Sequence, residues 1–138
     1  MIAETLRALV VEDNRAWQQI LRELLADVGL TVDVVDNVED AVAALRAVSH
    51  QVAVVDLALG DGDYDNEDGL RVLEAVRQQD PGCVAVMLTG FATVELAVSV
   101  LNEYGAFSCL RKEAFDRGEF RGLIEQVLAR PQRPVLWA

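Results

Sequence analysis

Positive charge is scarce in this chain: 12 Lys and Arg stand against 23 Asp and Glu, a formal charge of −11 with a pI near 4.4. Such a surface repels phosphate backbones, which argues against direct nucleic-acid binding, and it disfavours acidic partners as well. No stretch reaches 18 uninterrupted apolar residues, so no membrane span is expected. The opening MIAETLRALVVED lacks the basic flank and apolar core of a signal peptide, and a cytoplasmic setting is the expectation. Cysteine is nearly absent. The expected strand positions stagger Cys83 and Cys109 by about three residues, or about 10 Å, which is beyond disulfide reach. Both are expected as reduced, buried thiols. The single histidine, His50, follows a helical pattern at a loop, which suggests a surface or capping role and not a metal ligand.

What the chain has is apolar content, 52% over 138 residues, enough for one buried core and too little length for a second domain. One domain over residues 1–130 is expected, with the proline-broken PQRPVLWA of 131–138 as a tail or linker stub. Apolar runs rich in β-branched residues alternate with longer helical patterns, the signature of a βαβ series. Strands are predicted near 6–11, 31–36, 51–56, 83–88 and 106–111. The first helix follows Asn14 as cap, carries Trp17, Leu21, Leu24, Leu25 and Val28 at helical spacing, and stops at Gly29. Further helices are predicted over 39–48 with Val42, Leu45 and Val48 inward, over 69–79, over 93–104, and over 116–130 with Phe120, Leu123, Ile124 and Val127 inward. Right-handed crossovers then favour a three-layer, doubly wound, five-stranded parallel sheet in the flavodoxin-like order 2-1-3-4-5.

The helix over 93–104 has two apolar stripes, Val94, Ala97, Val98 and Leu101 on one side and Leu96 and Val100 on the other. A sheet covers only one face of a helix, so one stripe is expected outward, as a surface for a downstream protein target. Homodimerisation is left open.

Four of the five strands end on a residue suited to chemistry: Glu12 and Asp13 after LRALVV, Asp56 after QVAVV, Thr89 after CVAVML and Lys112 after AFSCLR. Parallel strands bring those ends to one edge. At an effective dielectric of about 20, two carboxylates about 4 Å apart repel by about 4 kcal/mol, so three together call for a cation. Hard oxygen ligands with open positions suit Mg²⁺. Asp56, alone after a fully apolar strand, is the candidate nucleophile for a phosphoryl group. Glu12 and Asp13 would hold the metal, Thr89 would donate its hydroxyl and Lys112 would set an ammonium against the developing charge.

The motifs VVEDN, VAVVDLAL, VAVMLTG and GAFSCLRK together resemble those of bacterial response-regulator receiver domains of the CheY-like superfamily, from about Leu6 to Arg130. The resemblance implies an acidic pair at Glu12 and Asp13, a phosphoacceptor at Asp56, a switch hydroxyl at Thr89 and the lysine at Lys112. It also implies that the backbone carbonyl of Ala58 is a metal ligand. The implied activity is acceptance of a phosphoryl group from a histidine kinase or phosphotransfer protein with Mg²⁺, followed by its hydrolysis, and not an independent enzymatic reaction. The alternative is a receiver-like binding module that acts without phosphorylation.

Three positions depart from that family's pattern. Receivers usually carry Tyr or Phe three residues before the lysine, and this chain has Cys109; Phe107 sits about 6.6 Å further back along the strand. The lysine is usually followed by a cis proline and here by Glu113, so a trans bond is predicted, since a cis non-proline bond costs about 2.5 to 4 kcal/mol. The segment GDGDYDNEDG places Asp68 and Gly69 about five residues later than usual, and brings Asp61, Asp63, Asp65, Glu67 and Asp68 near the site. As a calcium loop it fails at Asn66 and Val72, where glycine and glutamate are required. A solvated acidic loop beside the active site is the expectation, with specificity for a basic partner surface or repulsion of unpaired phosphodonors as its open roles. Ala58 and Phe91 cannot orient a water by hydrogen bonding, which predicts slow autodephosphorylation.

Overall fold

A computed structural model describes residues 6–59, 67–90 and 93–130. Five strands, β1 (Arg7–Val11), β2 (Thr31–Val35), β3 (Val52–Asp56), β4 (Val84–Thr89) and β5 (Ser108–Arg111), form one parallel sheet in the order β2-β1-β3-β4-β5. The helices between them are α1 (Arg15–Asp27), α2 (Val38–Ala47), α3 (Asp68–Gln79), α4 (Val94–Asn102) and α5 (Arg117–Ala129). A short 3-10 turn, Lys112–Ala114, follows β5.

Strand periodicity sorts the core into two layers. Leu9, Val11, Ala53, Val55, Ala85 and Met87 face α2, α3 and α4, while Ala8, Val10, Val52, Val54, Val86 and Leu88 face α1 and α5. The inner strands are covered on both faces, and this is why β3 is buried at every position and reads as one apolar run. The expected fold, sheet order and helix sequence are those found.

Local signals fix the helix ends. The Asn14 side chain accepts from the Trp17 backbone N–H at 3.0 Å to cap α1, and Gly29 turns the chain at φ +94° beyond its C-terminus. Asn37, Thr93 and Asp116 cap α2, α4 and α5 in the same way.

Three details differ from the expectations. Val48 is the C-cap of α2 with extended backbone, so its side chain leaves the helical stripe and is 43% exposed; Val38 and Ala41 fill the inward positions with Leu45. β5 begins at Ser108, and Phe107 lies at its exposed start. His50 is neither a surface residue nor a cap. It is buried, with Nε2 2.8 Å from Asp33 Oδ2, while its backbone N–H donates to Asp80 at 2.9 Å. Arg7 completes the group with two bonds to the same Asp33 carboxylate, at 3.1 and 2.8 Å. Cys83 and Cys109 are not joined in a disulfide; Cys83 is buried as expected, whereas Cys109 is only half-buried.

Candidate functional site

The site begins with β1 and β3, which are adjacent in the sheet with Val11 opposite Val55. That register puts Glu12, just past β1, beside Asp56, the last residue of β3. Carboxylate oxygens of Glu12, Asp13 and Asp56 all lie within 4.8 Å of one another. Glu12 is buried, Asp56 is 7% exposed, and the half-buried Asp13 is the most open of the three. Gln18, one turn into α1, donates to the Glu12 carbonyl at 2.6 Å and holds that corner to the helix.

Lys112 reaches the cluster from the far side of the sheet. Its Nζ is 2.5 Å from Glu12 Oε1 and 3.6 Å from Asp56 Oδ1, and it lies 5.3 Å from the centroid of the Trp17 ring. Thr89 is the last residue of β4, one step past the Asp56–Leu88 pair, and is buried. Ala58 lies two residues past Asp56, half-buried. Among the described residues no peptide bond is cis, so Lys112-Glu113 is trans, as expected.

Two contributors escaped the sequence reading. Gly69, in the first turn of α3, passes so close to β3 that a Cβ there would sit 2.3 Å from the Asp56 carbonyl oxygen and 2.6 Å from the Leu57 Cα. Its N–H donates to the Leu57 carbonyl at 2.7 Å, so α3 is pinned directly to the turn after Asp56. In the sequence Asp68 and Gly69 stand out only as a displaced part of the family pattern, with no role attached to the glycine. Trp17, read as part of the α1 core stripe, is half-buried and faces Lys112.

Crowding three acids has an electrostatic consequence. Burial and then the neighbouring Asp56 push Glu12 up to about 8, with Lys112 opposing the shift. Asp56 is also raised, by burial first; its hydrogen bond with Glu12 and the Lys112 charge oppose this, and the Asp13 charge adds to it. Among the described residues, the buried Glu12 Oε2 has no hydrogen-bond partner. A proton or a cation must satisfy it. Clustered carboxylate oxygens, one of them orphaned, form a donor set that fits a hard divalent cation such as Mg²⁺.

Of the acidic segment, Glu67 is exposed and Asp68 opens α3 with an ion pair to Arg71 at 3.6 Å. Asp61, Asp63, Asp65 and Asn66, like Phe91, lie outside the described residues, and so do the expectations that rest on them.

A family model described as the response regulator receiver domain matches residues 8–125. The chain belongs to this family. It is a receiver domain of two-component regulatory systems. Among curated relatives, the receiver is 29% identical over 126 residues to the acid tolerance regulatory protein ActR of Sinorhizobium medicae, covering 91% of this chain and 62% of that one. It is 32% identical over 106 residues to the photosynthetic apparatus regulatory protein RegA of Cereibacter sphaeroides, covering 77% and 54%. With the DNA-binding transcriptional regulator NtrC of Salmonella typhimurium it shares 29% over 123 residues, covering 89% of this chain and 25% of the relative. The chain thus spans between a quarter and about three fifths of these three relatives. Among solved structures, the receiver domain of NtrX from Brucella abortus matches with a TM-score of 0.75 at 26% identity, covering 88% of this chain and 97% of that one. The BeF3 activated DrrB receiver domain gives 0.78 at 20% identity, covering 92% and 100%, a likeness of fold.

Proposed function

We propose that this receiver, taken as residues 1–130 with a tail beyond, accepts a phosphoryl group on Asp56 from a histidine kinase or phosphotransfer protein in a cytoplasmic two-component phosphorelay. The observation that carries the reading is the convergence of Glu12, Asp13 and Asp56 within 4.8 Å, with the Lys112 ammonium 3.6 Å from Asp56. Mg²⁺ would be held by Glu12, Asp13, Asp56 and the backbone carbonyl of Ala58. When bound, it would neutralise charge on the phosphoryl oxygens.

The residues divide the remaining work. An Asp56 carboxylate oxygen attacks phosphorus, the phosphorus–nitrogen bond of the donor histidine breaks, and the electron pair leaves with the imidazole, which takes up a proton. The product on Asp56 is an acyl phosphate. Thr89 donates its hydroxyl to one phosphoryl oxygen, and Lys112, shared between Glu12 and Asp56 at rest, pairs with another. Because the site is largely buried, these interactions act at a low effective dielectric and are correspondingly strong. Water later attacks phosphorus and restores the carboxylate, slowly, because Ala58 offers no side-chain group to orient it.

The state would pass to a downstream protein through α4, β5 and α5. α4 turns Val100 and Leu96 inward and leaves Val94, Val98 and Leu101 at 79%, 48% and 41% exposure, beside Phe107 at 36%. A charge of −11 points to a protein partner and away from nucleic acid. Among the described residues no helix is long and apolar enough to cross a membrane. Incubation with acetyl phosphate and Mg²⁺, followed by intact mass, tests the reading. The parent should gain one phosphoryl group, and a parent that gains none would refute it. Partner binding that is the same for the parent and Asp56→Asn would favour a phosphorylation-independent module.

A further inference from the structure

We infer that Trp17 is a positioning residue for Lys112, holding its ammonium over the carboxylates and registering its movement. The Nζ of Lys112 has carboxylate oxygens of Glu12 and Asp56 at 2.5 and 3.6 Å, and the indole also faces it, 5.3 Å from Nζ to ring centroid. That separation lies within the range where a ring quadrupole attracts a cation. A lysine side chain is otherwise a flexible stem, so its aim depends on what surrounds the head group.

The indole is itself held. The backbone N–H of Trp17 donates to the Asn14 side chain at 3.0 Å, which fixes the residue at the start of α1, and the Trp17 ring meets Phe115 edge-on at 5.0 Å and 90°. Phe115 packs on Phe120 at 5.4 Å, and Phe120 is buried in the layer between the sheet and α1 and α5. Phe115 also donates its N–H to the Lys112 carbonyl at 3.2 Å, closing the 3-10 turn that carries the lysine. Ring and turn therefore hold Lys112 from two sides.

Trp17 packs against the same core layer as Leu21, Leu24 and Leu25, but at the start of α1 it is only half-buried, unlike those three leucines. β5 supplies no ring near the site: Cys109 packs toward the α3 and α4 layer, and Phe107 lies under Arg130 at the other end of the strand. The rings of Trp17, Phe115 and Phe120, each in contact with the next, thus form an aromatic path leading away from Lys112. On the reading that Asp56 is phosphorylated, the ammonium is drawn toward the phosphoryl oxygens and away from the indole, and Trp17 reports that displacement to α1 and α5.

The test uses the full chain carrying Trp137→Phe, which leaves Trp17 as the one indole of the two in the sequence. At rest, Lys112→Met should change the Trp17 emission; identical emission would overturn the contact without reference to any phosphorylation. Beryllofluoride with Mg²⁺ should shift the emission of the parent but not that of Lys112→Met. In the Trp137→Phe parent, where intact mass shows the phosphoryl gain, an emission that ignores beryllofluoride would overturn the reporting role. Separately, Trp17→Leu should lower the phosphorylation rate with acetyl phosphate about three- to tenfold. Trp17→Phe should recover most of that rate at equal thermal stability. A Trp17→Leu variant that is phosphorylated at the parental rate would overturn the positioning role. A parent that gains no phosphoryl group refutes the functional reading and leaves the resting emission to decide the contact.

Discussion

Replacing Gly69 by alanine is the substitution whose outcome the structure sets most tightly. The added Cβ would meet the Asp56 carbonyl oxygen at 2.3 Å, the Leu57 Cα at 2.6 Å and the Leu57 carbonyl oxygen at 2.9 Å. All three are backbone atoms, so no rotamer relieves the contact. Ordinary van der Waals separation requires α3 to retreat by about 1 Å, which stretches the 2.7 Å bond from Gly69 N–H to Leu57 and loosens the packing of Val72 and Leu73. Overpacking of this kind costs about 1 to 3 kcal/mol, and the rigid surroundings put this case at the upper end. Alanine's better helix propensity returns at most about 1 kcal/mol, so a net loss of about 2 kcal/mol is expected. For a chain of this length that is a fall in Tm of about 6 to 10 °C. Gly122→Ala is the control, also in a helix, with nothing within 4 Å of its added Cβ; it should be neutral or gain up to about 1 kcal/mol. Thermal melts and urea titrations of both variants measure the contrast. Gly69→Ala melting at or above the parent would refute the reasoning, because the pinning of α3 to the Asp56 turn would then be illusory.

Other expectations follow from the same coordinates. The Arg7 hydrogen bond, with smaller help from His50 and the Arg7 charge, holds the Asp33 carboxyl below its ordinary range against a partial desolvation. A depressed folded pKa adds stability above the unfolded value of about 4 and loses it as pH falls through the folded value. Asp33→Asn should therefore lower stability at pH 6 by about 1 kcal/mol at most, since the carboxylate is partly exposed and screened, and the gap should close below about pH 4 in urea titrations. Val94→Lys with Val98→Lys should leave Tm within about 2 °C of the parent, since both side chains already face solvent, and should weaken pull-down of the phosphorylated form by its target. Glu12→Gln should weaken Mg²⁺ binding about tenfold or more in calorimetric titration by removing one charged ligand; unchanged affinity would remove Glu12 from the ligand set.

Much of this was legible in the sequence, for identifiable reasons. β3 and β4 are covered on both faces, so Val52–Asp56 and Val84–Thr89 read as unbroken apolar runs whose ends mark the functional edge. Glu12 and Lys112 stand 100 positions apart and yet meet, because strands that all point one way must bring their ends together. The partition of α4 was legible only as a choice between two stripes; packing of Val100 against the sheet layer decided it. What stayed hidden depends on close approach in space. Asp33 in TVDVV reads as an ordinary polar alternation, and nothing in the chain ties it to Arg7 and His50 until β2 lies beside β1. Gly69 and Trp17 have unremarkable local patterns, and their roles come from a backbone and an ammonium supplied by distant segments.

The central claim is that Asp56 itself carries the phosphoryl group. Borohydride reduction of the chain after acetyl phosphate and Mg²⁺, followed by peptide sequencing in a mass spectrometer, tests it at residue level, because an aspartyl phosphate is reduced to homoserine. The account predicts homoserine at position 56 and none in Asp56→Asn; homoserine at Asp13 or another carboxylate, or at no position, would contradict it.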